Sequence, residues 1–240
     1  MNIELSCDLG EASDPDGREV ERAIWPMIDA ANVACGGHAG DAASMRDAAL
    51  IAAEHGVILG AHPSYPDRSG FGRKSMDIAP SALLASLIAQ IAALAEIASR
   101  QDVALQRVKA HGALYNEAHQ RIELARVIVA AMKHVDPSLS IVAGGTSAMA
   151  LAAGEAGVDV IREAFADRRY RDDGALVPRA EAGALLSVEE AAAQAALLAA
   201  ERVVITQSGR RLPIEFDTIC IHADMPGSVE RLRAIRGVSP

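Results

Sequence analysis

Short, almost wholly apolar runs alternate along the chain with longer amphipathic ones. The short runs, at 2–7, 31–35, 57–61, 105–110, 140–143, 158–162 and 217–222, have the length and apolar content of strands buried on both faces. Between them, at roughly 17–29, 42–55, 80–101, 119–135, 146–156, 187–202 and 226–236, apolar positions recur with a period near 3.6, which predicts helices. Two of these carry end signals. Asp41 stands ready to cap "AASMRDAALIAAEH", which Gly56 closes in a left-handed turn, and "SVEE" at 187–190 is a capping box. One stretch departs from the alternation: in "VVITQSGRRLPIEF", 203–216, two β-rich runs flank a Ser-Gly turn and predict a hairpin ahead of the last strand. No linker, repeat or low-complexity segment divides the chain, so residues 1–240 are expected to form a single domain.

Strand then helix, seven times over, calls for a parallel sheet covered by helices. An open doubly wound sheet concentrates polar residues at one crevice, whereas a closed (β/α) barrel spreads them over nearly every strand end. Here they follow almost every strand: "CDLGEA", "CGGHAGD", "AHPSYPDRSGFGR", "KAHGALYNEA", "GGTS", "EAFADRRY" and "HADMP". Four of seven histidines, His38, His62, His111 and His222, and all three tyrosines, Tyr65, Tyr115 and Tyr170, fall in these segments, which predicts a barrel with its site on the C-terminal rim.

Composition narrows the partners. Half the residues are hydrophobic, mostly Ala and Leu, enough for a large core under close-packed helices. A net charge of −9 leaves no basic stripe for nucleic acid or an acidic membrane. Cys7, Cys35 and Cys220 lie in or beside apolar runs without paired spacing, so neither a disulfide framework nor a thiolate zinc site is expected. The N-terminus does not have the pattern of a signal peptide, and no apolar run is expected to reach the ~20 residues of a membrane span, which makes cytoplasm the default location. There is no GxSxG elbow and no GxxxxGK[ST] loop.

The chemistry therefore rests on the rim. A lone histidine at a strand end is as often a packing residue as a functional one, but four together weigh against packing. Asp8, leaving the first strand before Gly10 and Glu11, suits acid–base work or a metal, with simple turn chemistry as the bland alternative. Lys109 at the end of "LQRVK" must find an anion, either substrate or an ion pair with Asp8, Glu11 or Glu163. "GGTS" offers N–H groups at a helix start, suited to an anion, or is a plain turn. Asp8, His38, His62, His111, His222 and Asp224 could also supply nitrogen and oxygen metal ligands, although no HxxxH or HExxH spacing is present.

The motifs "LSCDLGEA", "NVACGGHAGD", "GAHPSYPDRSGFGR", "VKAHGALYN", "EAFADRRYRDDGALVPR" and "ICIHADMP" together resemble the LamB/YcsF family, that of the 5-oxoprolinase A subunits, from about residue 3 to the last helix. Ser6, Gly37, Ala110 and Ala223 stand where the family pattern has Asn, Phe, Pro and Gly. The resemblance implies a distorted (β/α) TIM-like barrel of about seven parallel strands, related to the glycoside hydrolase/deacetylase-like superfamily. It also implies a hydrolase that opens the lactam of 5-oxo-L-proline to L-glutamate, with ATP as cosubstrate and subunits B and C as partners. On that footing Asp8 or Asp224 is the expected general base, Lys109 and Arg179 hold carboxylate or phosphate, and His62 and His111 stabilise negative charge or protonate the leaving nitrogen. Glu11, His38, Asp41, Tyr65, Asn116, Asp167, Tyr170 and His222 would bind or position substrate. A divalent metal is not assigned. The competing readings are a stand-alone metal-dependent amidase or deacetylase and a non-catalytic substrate-binding subunit.

Overall fold

Each apolar run becomes one stave of a closed barrel. A computed structural model of the chain describes residues 3–179 and 181–238. In chain order β1 (Glu4–Leu9), β2 (Ala30–Ala34), β3 (Ile58–His62), β4 (Leu105–Val108), β5 (Ser140–Ala143) and β6 (Val160–Phe165) lie side by side. The hairpin β7 (Val203–Ile205) and β8 (Arg211–Pro213) follows as a separate antiparallel pair, and β9 (Thr218–His222) then inserts between β6 and β1 to close the ring. Every pairing around the ring is parallel. The predicted strands are therefore all present with ends displaced by up to three residues, and the expected hairpin stands where the Ser-Gly turn placed it.

The helices are α1 (Pro15–Ile24), α2 (Ala42–His55), α3 (Pro80–Ser99), α4 (Gly112–Ala118), α5 (Ile122–Val135), α6 (Ala148–Glu155), α7 (Val188–Glu201) and α8 (Ser228–Val238). Asp41 caps α2 through the N–H groups of Ala43 and Ser44, Gly56 ends it at φ 66°, and Ser187 with Glu190 closes the capping box of α7, as the sequence predicts. The helix expected to run to residue 29 stops at Ile24, and Trp25–Met27 tightens into a 3₁₀ turn around Pro26, which has no N–H to continue the ladder. Two expectations are overturned. The segment after β4 contains α4, so Tyr115 is helical, and His119 caps that helix instead of starting the next. α3 is 20 residues long with a mean hydropathy of 1.8 over 18 residues, long and apolar enough to cross a membrane. It nonetheless buries Leu83, Leu87, Ile91, Leu94 and Ala98 in the core, packed between α2 and α5. Four such aliphatic side chains contribute on the order of 6–12 kcal/mol as a barrel helix.

Period-two alternation then decides where the chemistry sits. Leu5, Cys7 and Leu9 of β1 are fully buried in the apolar layer, while Ser6 and Asp8 turn the other way. Across the lumen Glu4 accepts two hydrogen bonds from Arg107 at 2.7 and 2.9 Å, and between neighbouring strands Thr218 meets Ser6 at 3.1 Å and Asp8 accepts from Asn32 at 2.9 Å. The apolar core lies outside the staves, and the lumen is a stack of paired polar side chains that ends at the C-terminal rim.

Candidate active site

The top of that stack is a buried ion cluster. Lys109 Nζ donates to both oxygens of Asp8 at 3.0 and 3.1 Å, lies 2.9 Å from Glu163 Oε2, and touches Cys220 Sγ at 3.0 Å. Burial alone would lower the lysine pKa, but Asp8, with Cys220 and Glu163, outweighs it and holds the ammonium well above the ordinary value. Burial likewise pushes Asp8 up, and His62 and Lys109 more than reverse that, so its carboxyl stays ionised well below the usual range. Of the ion pairs expected for Lys109, those with Asp8 and Glu163 form. Glu11 goes elsewhere.

Glu11 meets the histidines. Its Oε1 is 2.9 Å from His38 Nε2, 3.2 Å from His111 Nδ1 and 3.8 Å from His62 Nε2. The His111 and His62 nitrogens are 3.0 Å apart, and His38 stacks on His111 with centroids 3.6 Å apart. Burial drives His38 down to about 4 and lowers His111, against the pull of Glu11, whereas Asp8 overcomes burial and raises His62. α4 starts where His111 must be held: Gly112 sits at φ 58° with its Cα so close to Gly72 that a Cβ would lie 2.5 Å from the Gly72 carbonyl. That contact pins the 63–73 loop over the histidines.

On the opposite wall Asp167, fully buried, accepts from the backbone N–H of His222 at 2.8 Å and from its Nδ1 at 3.0 Å. This fixes the proton on Nδ1 and turns Nε2 toward the cavity, 4.0 Å from Asp8. At the mouth Asp224 pairs with Arg73 and, at 3.0 Å, with Arg179. Asp8, Glu11, His62, Lys109, His111, His222, Asn116 and Asp224 line one cavity of about 390 Å³ with Arg73, Arg168 and Arg179.

Most of the residues expected on the rim are therefore together, with four corrections. Asp41 is exposed, engaged as the cap of α2, and outside the lining of the cavity. Tyr65 is buried and donates to Glu117 at 3.1 Å, away from the cavity. Tyr170 accepts from the Phe165 N–H at 2.7 Å and faces a neighbouring cavity of about 590 Å³, bounded by the hairpin. Asp224 reaches the site, but two arginines occupy its carboxylate, which suits it to position them and not to act as a free base. "GGTS" borders the neighbouring cavity, where Ser147 caps α6. Residues not expected are Asn32, Arg73, Arg168 and Cys220. An amide inside the apolar run "AANVA" is a legible sign of a lumen contact; Arg73 carries none, because its partner Asp224 comes from a distant loop.

Two predictions arise directly. Asp8 and Asp167 both have depressed pKa values, Asp167 because His222 and Arg168 outweigh its burial. Depressed carboxylates contribute stability that is complete above the unfolded value near 4 and is lost as pH falls through the folded value. Urea midpoints are thus expected to drop below about pH 4, with a shallower fall for Asp167→Asn. The second concerns Gly37, where the family pattern has Phe: a Cβ there would lie 2.3 Å from Gln90 Oε1 and 2.4 Å from Ser64 Oγ. Gln90 is itself fixed, accepting from the Ser64 N–H at 3.0 Å and donating to its carbonyl at 2.9 Å. Gly37→Ala is expected to cost about 1–3 kcal/mol in urea unfolding.

Fold and site together define a TIM-like barrel of seven parallel strands whose charged cavity lies over the strand C-termini. The chain belongs to the LamB/YcsF family, whose model matches residues 3–239. The A subunit of 5-oxoprolinase from Bordetella pertussis is 40% identical over 235 residues, covering 98% of this chain and 93% of that one. Its counterpart in Symbiobacterium thermophilum is 41% identical over 235 residues, covering 98% and 90%. A crystal structure of the lactam utilization protein from Thermus thermophilus superposes with a TM-score of 0.90 at 37% identity, over 99% of this chain and 96% of that one.

Proposed function

We propose that this chain is the ring-opening subunit of an ATP-dependent 5-oxoprolinase, which converts 5-oxo-L-proline to L-glutamate as ATP becomes ADP and phosphate, in a complex with subunits B and C. The observation that carries the reading is the single cavity of about 390 Å³ that sets an acid–base group, His222 on the buried Asp167, opposite Lys109 and below an arginine mouth. Its size suits a small lactam, and the mouth suits an anion. The names borne by the relatives supply the substrate class.

A lactam is a resonance-stabilised amide whose closure is intramolecular and therefore favoured. Transfer of the γ-phosphoryl group of ATP to the lactam oxygen gives an imidate that water can attack. Addition of water at that carbon, followed by cleavage of the C–N bond with a proton delivered to nitrogen, yields a γ-glutamyl phosphate; a second water releases phosphate and glutamate. Departure of phosphate before the C–N bond breaks would only regenerate the lactam, so the proton to nitrogen decides whether the ATP is used productively. Asp8, held ionised by Lys109 and His62, is a weak base, whereas His222 Nε2 with its Nδ1 proton fixed by Asp167 is the better group to take a proton from water and return it to nitrogen. Lys109 and Asp8 set the charge on that side of the cavity, and Arg73 and Arg179, steered by Asp224, hold carboxylate or phosphate.

The test is substrate discrimination by the assembled complex with ATP. Glutamate is expected from 5-oxoproline, while 2-pyrrolidinone, which lacks the carboxylate, is expected to remain closed. Equal turnover of both would contradict the role given to the arginines. A second reading, an amidase that works with a metal and without partners, is favoured by the convergence of Glu11, His38, His62 and His111. It predicts amide hydrolysis by the chain alone without ATP.

A further inference from the structure

Four side chains beside the cavity bring their donor atoms to one point. The oxygen Oε1 of Glu11, Nε2 of His38, Nε2 of His62 and Nδ1 of His111 all lie within 4.8 Å of one another. The outer nitrogens of two of the rings are fixed: His62 Nδ1 is 2.8 Å from the Lys109 carbonyl and His111 Nε2 is 2.9 Å from the Phe71 carbonyl. A carbonyl only accepts, so both outer nitrogens carry the proton and donate. In the neutral rings the inner nitrogens then present lone pairs, 3.0 Å apart, with the Glu11 carboxylate beside both. Such an arrangement repels itself unless positive charge lies among the donors.

We infer that Glu11, His38, His62 and His111 form a binding site for a divalent transition-metal ion of the zinc type. Donors at about 2.0–2.1 Å from a tetrahedral ion are about 3.3–3.4 Å apart. The closest separations here, from 2.9 to 3.8 Å, bracket that spacing. Metal-binding histidines are commonly held by a carbonyl on the outer nitrogen, the arrangement found at His62 and His111. Three imidazoles and one carboxylate without a thiolate favour zinc and its neighbours over magnesium or calcium, which prefer all-oxygen sets. The set is shielded, with side-chain exposures from 0% to 7%, yet Glu11, His62 and His111 border the cavity, so a bound ion would stand against the substrate space. The inference does not rest on the lactam reading, since the donor geometry is the same for any substrate. Its rival is a proton: an imidazolium at His62 would donate to His111 and satisfy the same lone pairs.

The full chain, stripped by dialysis against chelator, is titrated with Zn²⁺ by calorimetry and with Co²⁺ by visible absorption, and metal content is measured by mass spectrometry after desalting. The expected result is one ion per chain, with a tetrahedral Co²⁺ spectrum. His38→Ala and Glu11→Gln are expected to weaken binding by about tenfold or more. His134→Ala, on the exposed face of α5, should bind as the wild type. Circular dichroism establishes that each variant is folded, and the wild-type Co²⁺ spectrum stands without any variant. No stoichiometric ion in the wild type, or unchanged affinity in folded His38→Ala and Glu11→Gln, would overturn the site and leave the imidazolium network. Metal bound with no glutamate formed by the complex would contradict the lactam reading alone, and glutamate formed by a complex whose chain takes up no ion on titration would contradict the inference alone.

Discussion

Lys109→Met is expected to abolish glutamate formation and to lower the unfolding free energy by about 3–5 kcal/mol, measured by urea denaturation at pH 7. The apolar stem is largely conserved, so the loss comes from charge. Asp8 and Glu163 lie within 3.1 Å of the ammonium, each less than a tenth exposed, and without it both would be buried carboxylates with no ammonium to offset them. Adding Glu163→Gln to Lys109→Met is expected to restore part of the stability and none of the turnover. Recovery of both would reduce Lys109 to a structural counter-ion.

The second large effect is at the dyad. His222→Ala is expected to slow glutamate formation by about 10²–10⁴-fold, the usual range for loss of a positioned acid–base group. Asp167→Asn should fall nearly as far. An amide at 167 that donates to Nδ1 would leave the ring proton on Nε2, the wrong nitrogen for taking a proton from water. Both variants are expected to lose some stability, Asp167→Asn because Asp167 also accepts the His222 backbone N–H, and His222→Ala because it leaves the buried Asp167 carboxylate without the imidazole that offsets its burial. ATP hydrolysis continuing in the His222→Ala complex without glutamate would be the signature of an imidate formed but not opened.

The barrel is legible because each strand is short, apolar and followed by its own polar cluster, so fold and site location come from the same alternation. What escapes the sequence depends on pairings between distant segments. "GALYNEA" is too short for a 3.6 period to declare itself beside a glycine, so nothing local distinguishes α4 from a loop. Asp41 bears two signals, a cap and a rim carboxylate, and the N–H groups of Ala43 and Ser44 claim it for the first. Asp224 has the local pattern of a base, but Arg73 and Arg179 close on it from 151 and 45 residues away. Glu11 is one of three sequence candidates to pair with Lys109, and only the loop pinned at Gly112 shows that it faces three histidines instead. The lumen polarity is half visible, in Asn32 and in Lys109, since a polar residue inside an apolar strand needs a polar partner within the barrel.

The most direct test of the central claim, that the ring is opened in this cavity, is glutamate formed from 5-oxoproline by the partner subunits and ATP before and after the purified chain is added. The account predicts none before, steady formation afterwards, and formation slower by about 10²–10⁴-fold when folded His222→Ala chain is added in its place. The same rate of glutamate formation with the chain omitted would place the chemistry elsewhere and contradict the account.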